Sequence, residues 1–224
     1  PRSTTIPSST DLIRIAKSQS KLHEIERLSW FKGVAAFAAL PEKTDDCLCF
    51  INSIAIQSLT LEELDQFELQ FSPYRSRLVV ELTEGDEFNT DTPLFRHQNY
   101  RNTHVRIAMD DFGTGYSNDS VLLAIHPDFV KVDINIIRGI DQDKTRQTTL
   151  RNLVSLCHNM QVQVIAKGVE TAEELYTLVR LGVDYLQGGY LGEPAFQPEL
   201  VPAGVLQELR AAWLDRLPDA SQTL

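Results

Sequence analysis

The sequence predicts an α/β fold in which strands and helices alternate around a parallel sheet. Six short apolar runs rich in strand-forming residues are separated by segments with helical periodicity. Each strand and the helix that follows it take up roughly 20–36 residues, which is the size of a βαβ repeat. Such alternation indicates a parallel sheet that is either doubly wound or closed as a barrel.

The first forty residues are predicted to be helical. Ser9, Thr10 and Asp11 offer N-cap side chains, apolar residues then recur at helical intervals, and Pro41 is expected to end the segment. The six strands that follow are predicted at 47–53, 77–84, 104–111, 129–133, 162–168 and 183–188.

The helices between and after these strands carry their own start and stop signals. Thr60 opens one helix, while Thr171 is an N-cap with Glu174 as its capping-box partner and Gly182 at the C′ position. Helices are predicted at 60–70, 120–125, 144–160, 171–182 and 200–217.

Composition narrows the class of protein. The 224 residues, 42% of them hydrophobic, suit a soluble globular protein with a core, and the formal charge of −10 argues against binding of duplex nucleic acid. No window holds the roughly 18 consecutive apolar residues of a membrane span, and the N-terminus lacks the apolar core of a secretory signal, so a cytoplasmic location is expected. The spacing of Cys47, Cys49 and Cys157 favours reduced thiols over a zinc site.

Polar side chains lie at or near the C-terminal end of each predicted strand. In an α/β barrel these strand ends form one face, where side chains from distant parts of the sequence converge. In chain order the residues are Asn52, Glu81, Asp110 with Asp111, Lys131, Lys167 and Gln187.

Four of these residues form a candidate metal site, because Asn52, Glu81, Asp110 and Asp111 offer only oxygen ligands. Such ligands suit Mg²⁺, Mn²⁺ or Ca²⁺ rather than zinc. An Asp-Asp pair before Gly-Thr-Gly is by itself more typical of a solvated turn. An acid (Glu81) and an amide (Asn52) also stand at the matching ends of two other strands, and this agreement favours the metal site over the turn.

Two lysines accompany these carboxylates. Lys131 and Lys167 can each hold a nucleophilic water or stabilise charge on a phosphoryl oxygen. They can equally be structural counter-ions of an acidic face, and their spacing does not separate these roles.

Several motifs occur in an order that resembles one family. The segments "VELTE", "DDFGTGYS", "VKVD", "VIAKGVET" and "YLQGGYLGEP" closely resemble those of EAL-domain phosphodiesterases, which hydrolyse cyclic di-GMP. The resemblance runs from about residue 10 to about residue 200. It implies a TIM-like (β/α) barrel that binds two Mg²⁺ or Mn²⁺ ions, and a single EAL-like domain over 1–224.

The resemblance also implies roles for individual residues. Asn52, Glu81 and Asp110 are similar to the ligands of the first metal, and Asp110 and Asp111 to those of the second. Lys131 resembles the lysine that contacts the attacking water. The implied reaction is a two-metal hydrolysis of cyclic di-GMP to linear pGpG.

Further residues follow from the same motifs. Glu84 resembles the residue that holds the loop after the double aspartate, and this loop also serves dimerisation in the family, so a homodimer is implied. Asp133, Glu170 and Gln187 resemble other pocket residues. A sensor or cyclase domain upstream is a further implied partner, since the family often sits beside one.

Two departures from the family pattern bear on activity. The Glu-Ala-Leu motif is absent, and residues 10–40 resemble the two helices that follow it, so the first strands are expected to be missing from this chain. Lys167 stands where the family has glutamate, close to the second metal. At an effective dielectric constant of about 20, unit charges ~4 Å apart interact by about 4 kcal/mol, enough to weaken that metal site.

Three hypotheses follow. The first is an EAL domain that binds cyclic di-GMP with impaired or no hydrolysis. The second is an active Mg²⁺- or Mn²⁺-dependent phosphodiesterase that tolerates Lys167. The third is a barrel kept as a non-catalytic protein-interaction scaffold.

Overall fold

A computed structural model describes residues 9–40, 46–53, 59–83, 105–113, 122–123, 125–195 and 199–216. The chain divides into two compact units, Pro1–Ile107 and Ala108–Leu224. In both units parallel strands are connected through helices, which confirms the predicted α/β class.

The described residues of the first unit form two parallel strands, three α-helices and a 3-10 helix. The register of the two strands places Asn52 opposite Glu81. Edge-to-face packing of aromatic rings fills the space between α2 and α3, with the centroids of Trp30 and Phe67 5.4 Å apart. The elements are α1 (Ser9–Ser18), α2 (Leu22–Ala38), β1 (Cys49–Ser53), α3 (Leu61–Phe71), a 3-10 helix (Ser72–Arg77) and β2 (Leu78–Thr83).

The second unit contains a run of parallel strands in chain order. The side chains of β4 are buried along its whole length, so this strand lies in the core of the unit. The elements are β3 (Arg106–Phe112, whose first two residues belong to the first unit), β4 (Phe129–Val132), α4 (Ile134–Ile137), α5 (Lys144–Asn159), β5 (Gln163–Lys167), α6 (Ala172–Leu181), β6 (Tyr185–Gln187) and α7 (Ala203–Arg216).

The helix signals predicted from the sequence are confirmed at α3 and in part at α6. The Thr60 hydroxyl accepts a hydrogen bond from the Glu63 backbone N–H, and the Glu63 carboxylate accepts one from the Thr60 N–H, which forms a capping box. At α6 the Thr171 hydroxyl accepts from the Glu174 N–H, as the N-cap prediction requires, but the Glu174 carboxylate accepts from the Glu170 N–H and does not complete the predicted capping box. Gly182 ends α6 with a φ of +95°. A left-handed φ at this position is most easily adopted by glycine.

The predicted strands all occur, with bounds that differ by one to a few residues. The 3-10 helix and the four-residue α4 were not predicted, because segments this short show no helical period. Of the predicted helix at 120–125, the described residues 122, 123 and 125 are helical. Within the described part of the chain, no helix is long and apolar enough to cross a membrane.

Candidate functional site

The double aspartate lies in an irregular part of β3. Met109 pairs with Val130 and Phe112 with Val132, so β3 has one residue more than β4 between the two pairs. This is the arrangement of a β-bulge, which changes the direction of a side chain at the end of a strand. Asp111 has a φ of +57°, in the left-handed region.

The bulge lets two consecutive carboxylates reach one cation. In a regular strand, neighbouring side chains point to opposite faces of the sheet. Here the Lys167 ammonium donates to Asp110 Oδ1 at 2.6 Å and to Asp111 Oδ1 at 2.5 Å. The Asp111 backbone N–H also donates to Asp110 Oδ1, at 2.9 Å.

A second lysine adjoins the same carboxylate. Lys131, on β4, is buried, and its Nζ lies 3.7 Å from Asp110 Oδ1. We call Asp110, Asp111, Lys131 and Lys167 the Asp–Lys cluster. Its four formal charges cancel, so the burial of Asp110 does not leave an uncompensated charge.

The pKa of Lys167 reflects these contacts. Burial by itself lowers the pKa of the ammonium, but hydrogen bonds and charge from Asp110 and Asp111 outweigh burial and raise the pKa above its ordinary 10.5. Lys167 therefore carries a positive charge at neutral pH, and this charge lies between the two aspartates.

Asn52 and Glu81 are brought together within the first unit. They are register partners on β1 and β2; Asn52 is exposed and Glu81 is buried. The neighbouring Ser53 hydroxyl donates to the buried carboxylate of Glu26 at 2.8 Å, which ties the end of β1 to α2. The sequence predicted the Asn52–Glu81 pair from the strand ends alone.

Three other predicted site residues lie at or just after the ends of strands. Asp133 is buried and caps α4, and its Oδ1 accepts hydrogen bonds from the Asn135 backbone and side-chain amides at 2.8 and 2.6 Å. Glu170 is exposed and accepts a hydrogen bond from the Arg138 guanidinium. Gln187 is exposed, and its carbonyl accepts from the Val169 N–H at 3.0 Å. Glu84 lies outside the described residues.

Sequence reasoning missed the connection between the loops after β4 and β5. The carboxylate of Glu174 is almost fully buried and accepts hydrogen bonds from the backbone N–H groups of Gly139 and Glu170, both at 2.8 Å. The sequence predicted the Glu174 side chain as the capping-box partner of Thr171, but the structure uses its carboxylate to hold these two loop N–H groups. The burial of Glu174 is a property of the fold, so no local signal in the sequence pointed to this contact.

Asp110 and Asp111 are the residues that would have to hold the second metal implied by the family resemblance. A cation shared by Asp110 and Asp111 would have to displace the Lys167 ammonium, which is hydrogen-bonded to both. Within the described ranges, no group of three or more His, Cys, Asp or Glu side chains is arranged to hold a metal ion. With Lys167 charged, the two aspartates do not fit a shared divalent cation.

Several proteins to which this chain is similar are named cyclic di-GMP phosphodiesterases. "Probable cyclic di-GMP phosphodiesterase PdeG" of Escherichia coli K12 is 32% identical over 169 residues, which are 75% of this chain and 33% of that protein. The chain thus spans about a third of the length of this relative.

Solved structures show the same fold. A standalone EAL protein from Vibrio cholerae O395, bound to cyclic di-GMP, has a TM-score of 0.78 at 24% identity, over 90% of this chain and 86% of that one. Klebsiella pneumoniae BlrP1, in a complex with manganese and cyclic di-GMP, has a TM-score of 0.73 at 26% identity, over 87% and 50% of the two chains. The predicted EAL type of (β/α) barrel is confirmed by this likeness, and the EAL domain family model matches residues 1–194. The chain therefore belongs to the EAL domain family.

Proposed function

We propose that this chain is an EAL domain of cyclic di-GMP signalling that binds cyclic di-GMP with impaired or no hydrolysis. Membership of the family and the cyclic di-GMP complexes of its structural neighbours support the ligand. The proposed loss of hydrolysis rests on one observation: the Lys167 ammonium is hydrogen-bonded to both Asp110 and Asp111.

An ammonium replaces the charge of a metal ion but not its chemistry. A divalent cation lowers the pKa of a bound water and so supplies a nucleophile at neutral pH. The Lys167 ammonium has only N–H donors to offer and cannot bind a water as a Lewis acid. The two aspartates are therefore neutralised without any gain in water activation.

Binding of a phosphodiester is compatible with the same cluster. Each lysine ammonium carries three N–H donors, and charge-assisted hydrogen bonds to phosphate oxygens are among the stronger ones in proteins. The side chain of Lys167 is 22% exposed, so a ligand can approach it from solvent. In a protein with a formal charge of −10, a charge-balanced cluster gives an anionic ligand a local site without net repulsion.

Of the implied metal site, Asn52 and Glu81 retain oxygen ligands. Binding of Mg²⁺ or Mn²⁺ through these residues stays a prediction, as do the roles of Lys131, Glu84 and Glu170 in catalysis and of Asp133 and Gln187 in the pocket. The single domain over 1–224, the homodimer, the upstream sensor or cyclase domain and the cytoplasmic location also stay predictions.

The test combines binding and turnover on the same protein. We expect calorimetry to show binding of cyclic di-GMP in EDTA, with cyclic di-AMP as the control nucleotide, and chromatography to show no pGpG after incubation with Mn²⁺. Lys167→Glu, which restores the family residue, is expected to gain pGpG formation. Lys167→Met removes the ammonium without adding an oxygen ligand and is the matched control.

Two results would contradict the proposal. If calorimetry shows no heat of binding with cyclic di-GMP, then cyclic di-GMP is not a ligand of this chain, and the interaction scaffold is favoured. Turnover to pGpG by the unaltered chain would favour the active phosphodiesterase, since the Lys167 ammonium would then not prevent hydrolysis.

A further inference from the structure

The loops after β5 and β6 lie directly against each other. We call residues 168–170 the β5 loop and residues 188–192 the β6 loop. The Val169 N–H donates to the Gln187 carbonyl at 3.0 Å, and the Tyr190 N–H donates to the Val169 carbonyl at 3.1 Å. A Cβ added to Gly188 would lie 2.2 Å from the Val169 backbone, so the two loops are in close contact.

This contact connects two residues of the candidate site. Lys167 is the residue before the β5 loop, and Gln187 is the residue before the β6 loop. The β6 loop reads Gly-Gly-Tyr-Leu-Gly, and three glycines in five residues give its backbone much conformational freedom. Its conformation therefore depends on side-chain anchors.

Tyr190 provides such an anchor. Its hydroxyl donates to Glu208 Oε2 on α7 at 2.6 Å, while its backbone N–H holds the β5 loop. The helix α7 packs against α6, so the anchor point belongs to a regular part of the second unit. One residue thus joins both loops to a helix.

We propose that Tyr190 is a positioning residue for the cyclic di-GMP site. Its bond to Glu208 holds the β6 loop on the β5 loop, and this contact fixes the backbone next to Gln187 and Lys167. The inference deepens the proposed function and rests on it for the identity of the ligand.

The chain offers a matched control. Tyr176, on α6, also donates its hydroxyl to a carboxylate of α7, that of Asp215. Both bonds are exposed, and both join α7 to another part of the second unit. Tyr176→Phe therefore removes the same kind of bond as Tyr190→Phe, but from a helix residue outside the two loops.

The experiment measures two quantities separately: the protection of the contact between the two loops and the affinity for cyclic di-GMP. In Tyr190→Phe we expect hydrogen exchange of the Val169 amide to speed up and the affinity for cyclic di-GMP to fall roughly two- to tenfold, the range that loss of one hydrogen bond gives. Tyr176→Phe is expected to leave both unchanged, and Glu208→Gln, which keeps an acceptor oxygen, to resemble the unaltered protein.

The outcomes separate the inference from the proposed function. If the exchange of the Val169 amide is unchanged in Tyr190→Phe, Tyr190 is not an anchor and the anchoring role is overturned. An equal change in Tyr176→Phe also overturns it, because the effect would then be a general loosening of α7. Faster exchange with unchanged affinity overturns the positioning role. Absence of cyclic di-GMP binding by the unaltered protein overturns the proposed function, whereas the exchange comparison needs no ligand.

Discussion

At the end of β3, two consecutive carboxylates share one ammonium because Asp111 adopts a left-handed backbone conformation, with a φ of +57°. For an L-residue this conformation costs about 1–2 kcal/mol, and aspartate tolerates it better than most. Its hydrogen bond to Lys167 offsets that cost. A glutamate in the place of Lys167 would add a third carboxylate to the same point, which only a bound cation would stabilise.

Removal of the Lys167 ammonium should destabilise the fold. Lys167→Met keeps an unbranched apolar side chain but removes the ammonium, which leaves Asp110 and Asp111 facing each other with less positive charge. Exposed ion pairs contribute little and buried ones several kcal/mol, so for this half-buried group we expect a loss of about 1–3 kcal/mol in the free energy of unfolding, measured in urea. Lys144→Met, at an exposed lysine of the same unit, is the control, with an expected change within about 0.5 kcal/mol.

The contribution of Lys167 has a defined pH dependence. Because its folded pKa is raised above 10.5, the charged form is favoured by folding. The stabilisation is therefore fully present below the ordinary lysine pKa and is lost as the pH rises through the folded pKa. The difference in unfolding free energy between the unaltered protein and Lys167→Met should stay constant from about pH 7 to 9.5 and shrink above about pH 10.5. A difference that vanishes between neutral pH and about pH 9 would contradict this assignment.

Among the elements, β6 and its loop are held by a close backbone contact. Gly188→Ala would place a Cβ 2.2 Å from the Val169 backbone, where neither loop can yield easily. We expect a loss of about 1–3 kcal/mol in the free energy of unfolding, the usual cost of overpacking. Gly192→Ala is the matched control, because a Cβ there meets nothing within 4 Å. Equal effects of the two substitutions in urea unfolding would show that the contact is not tight.

The elements that could be predicted from the sequence are those with a local signal. Thr60 and Thr171 begin helices by side-chain caps, and Gly182 ends one, so their boundaries follow from chemistry within a few residues. The 3-10 helix at Ser72–Arg77 and the short α4 have no such period, and packing decides them. The bulge in β3 is a shift in its pairing with β4, so the sequence of β3 by itself does not reveal it.

For the whole molecule, the sequence predicted which residues of the second unit gather at the strand ends, but not how they are paired. Parallel strands bring Asp110, Lys131 and Lys167 to one edge, as the alternation of strands and helices required. The direct bond of Lys167 to both aspartates depends on side-chain geometry, and spacing alone had left a counter-ion and a catalytic lysine as equal readings. The structure favours the counter-ion.

The central claim is that the Lys167 ammonium takes the place of a divalent cation at Asp110 and Asp111. Counting the Mn²⁺ ions bound per chain, from the electron paramagnetic resonance signal of free Mn²⁺, tests this claim without turnover or nucleotide. We predict that Lys167→Glu binds one more Mn²⁺ than the unaltered protein, while Lys167→Met, which adds no oxygen ligand, shows no such gain. The same number of bound ions in the unaltered protein and in Lys167→Glu would contradict the account.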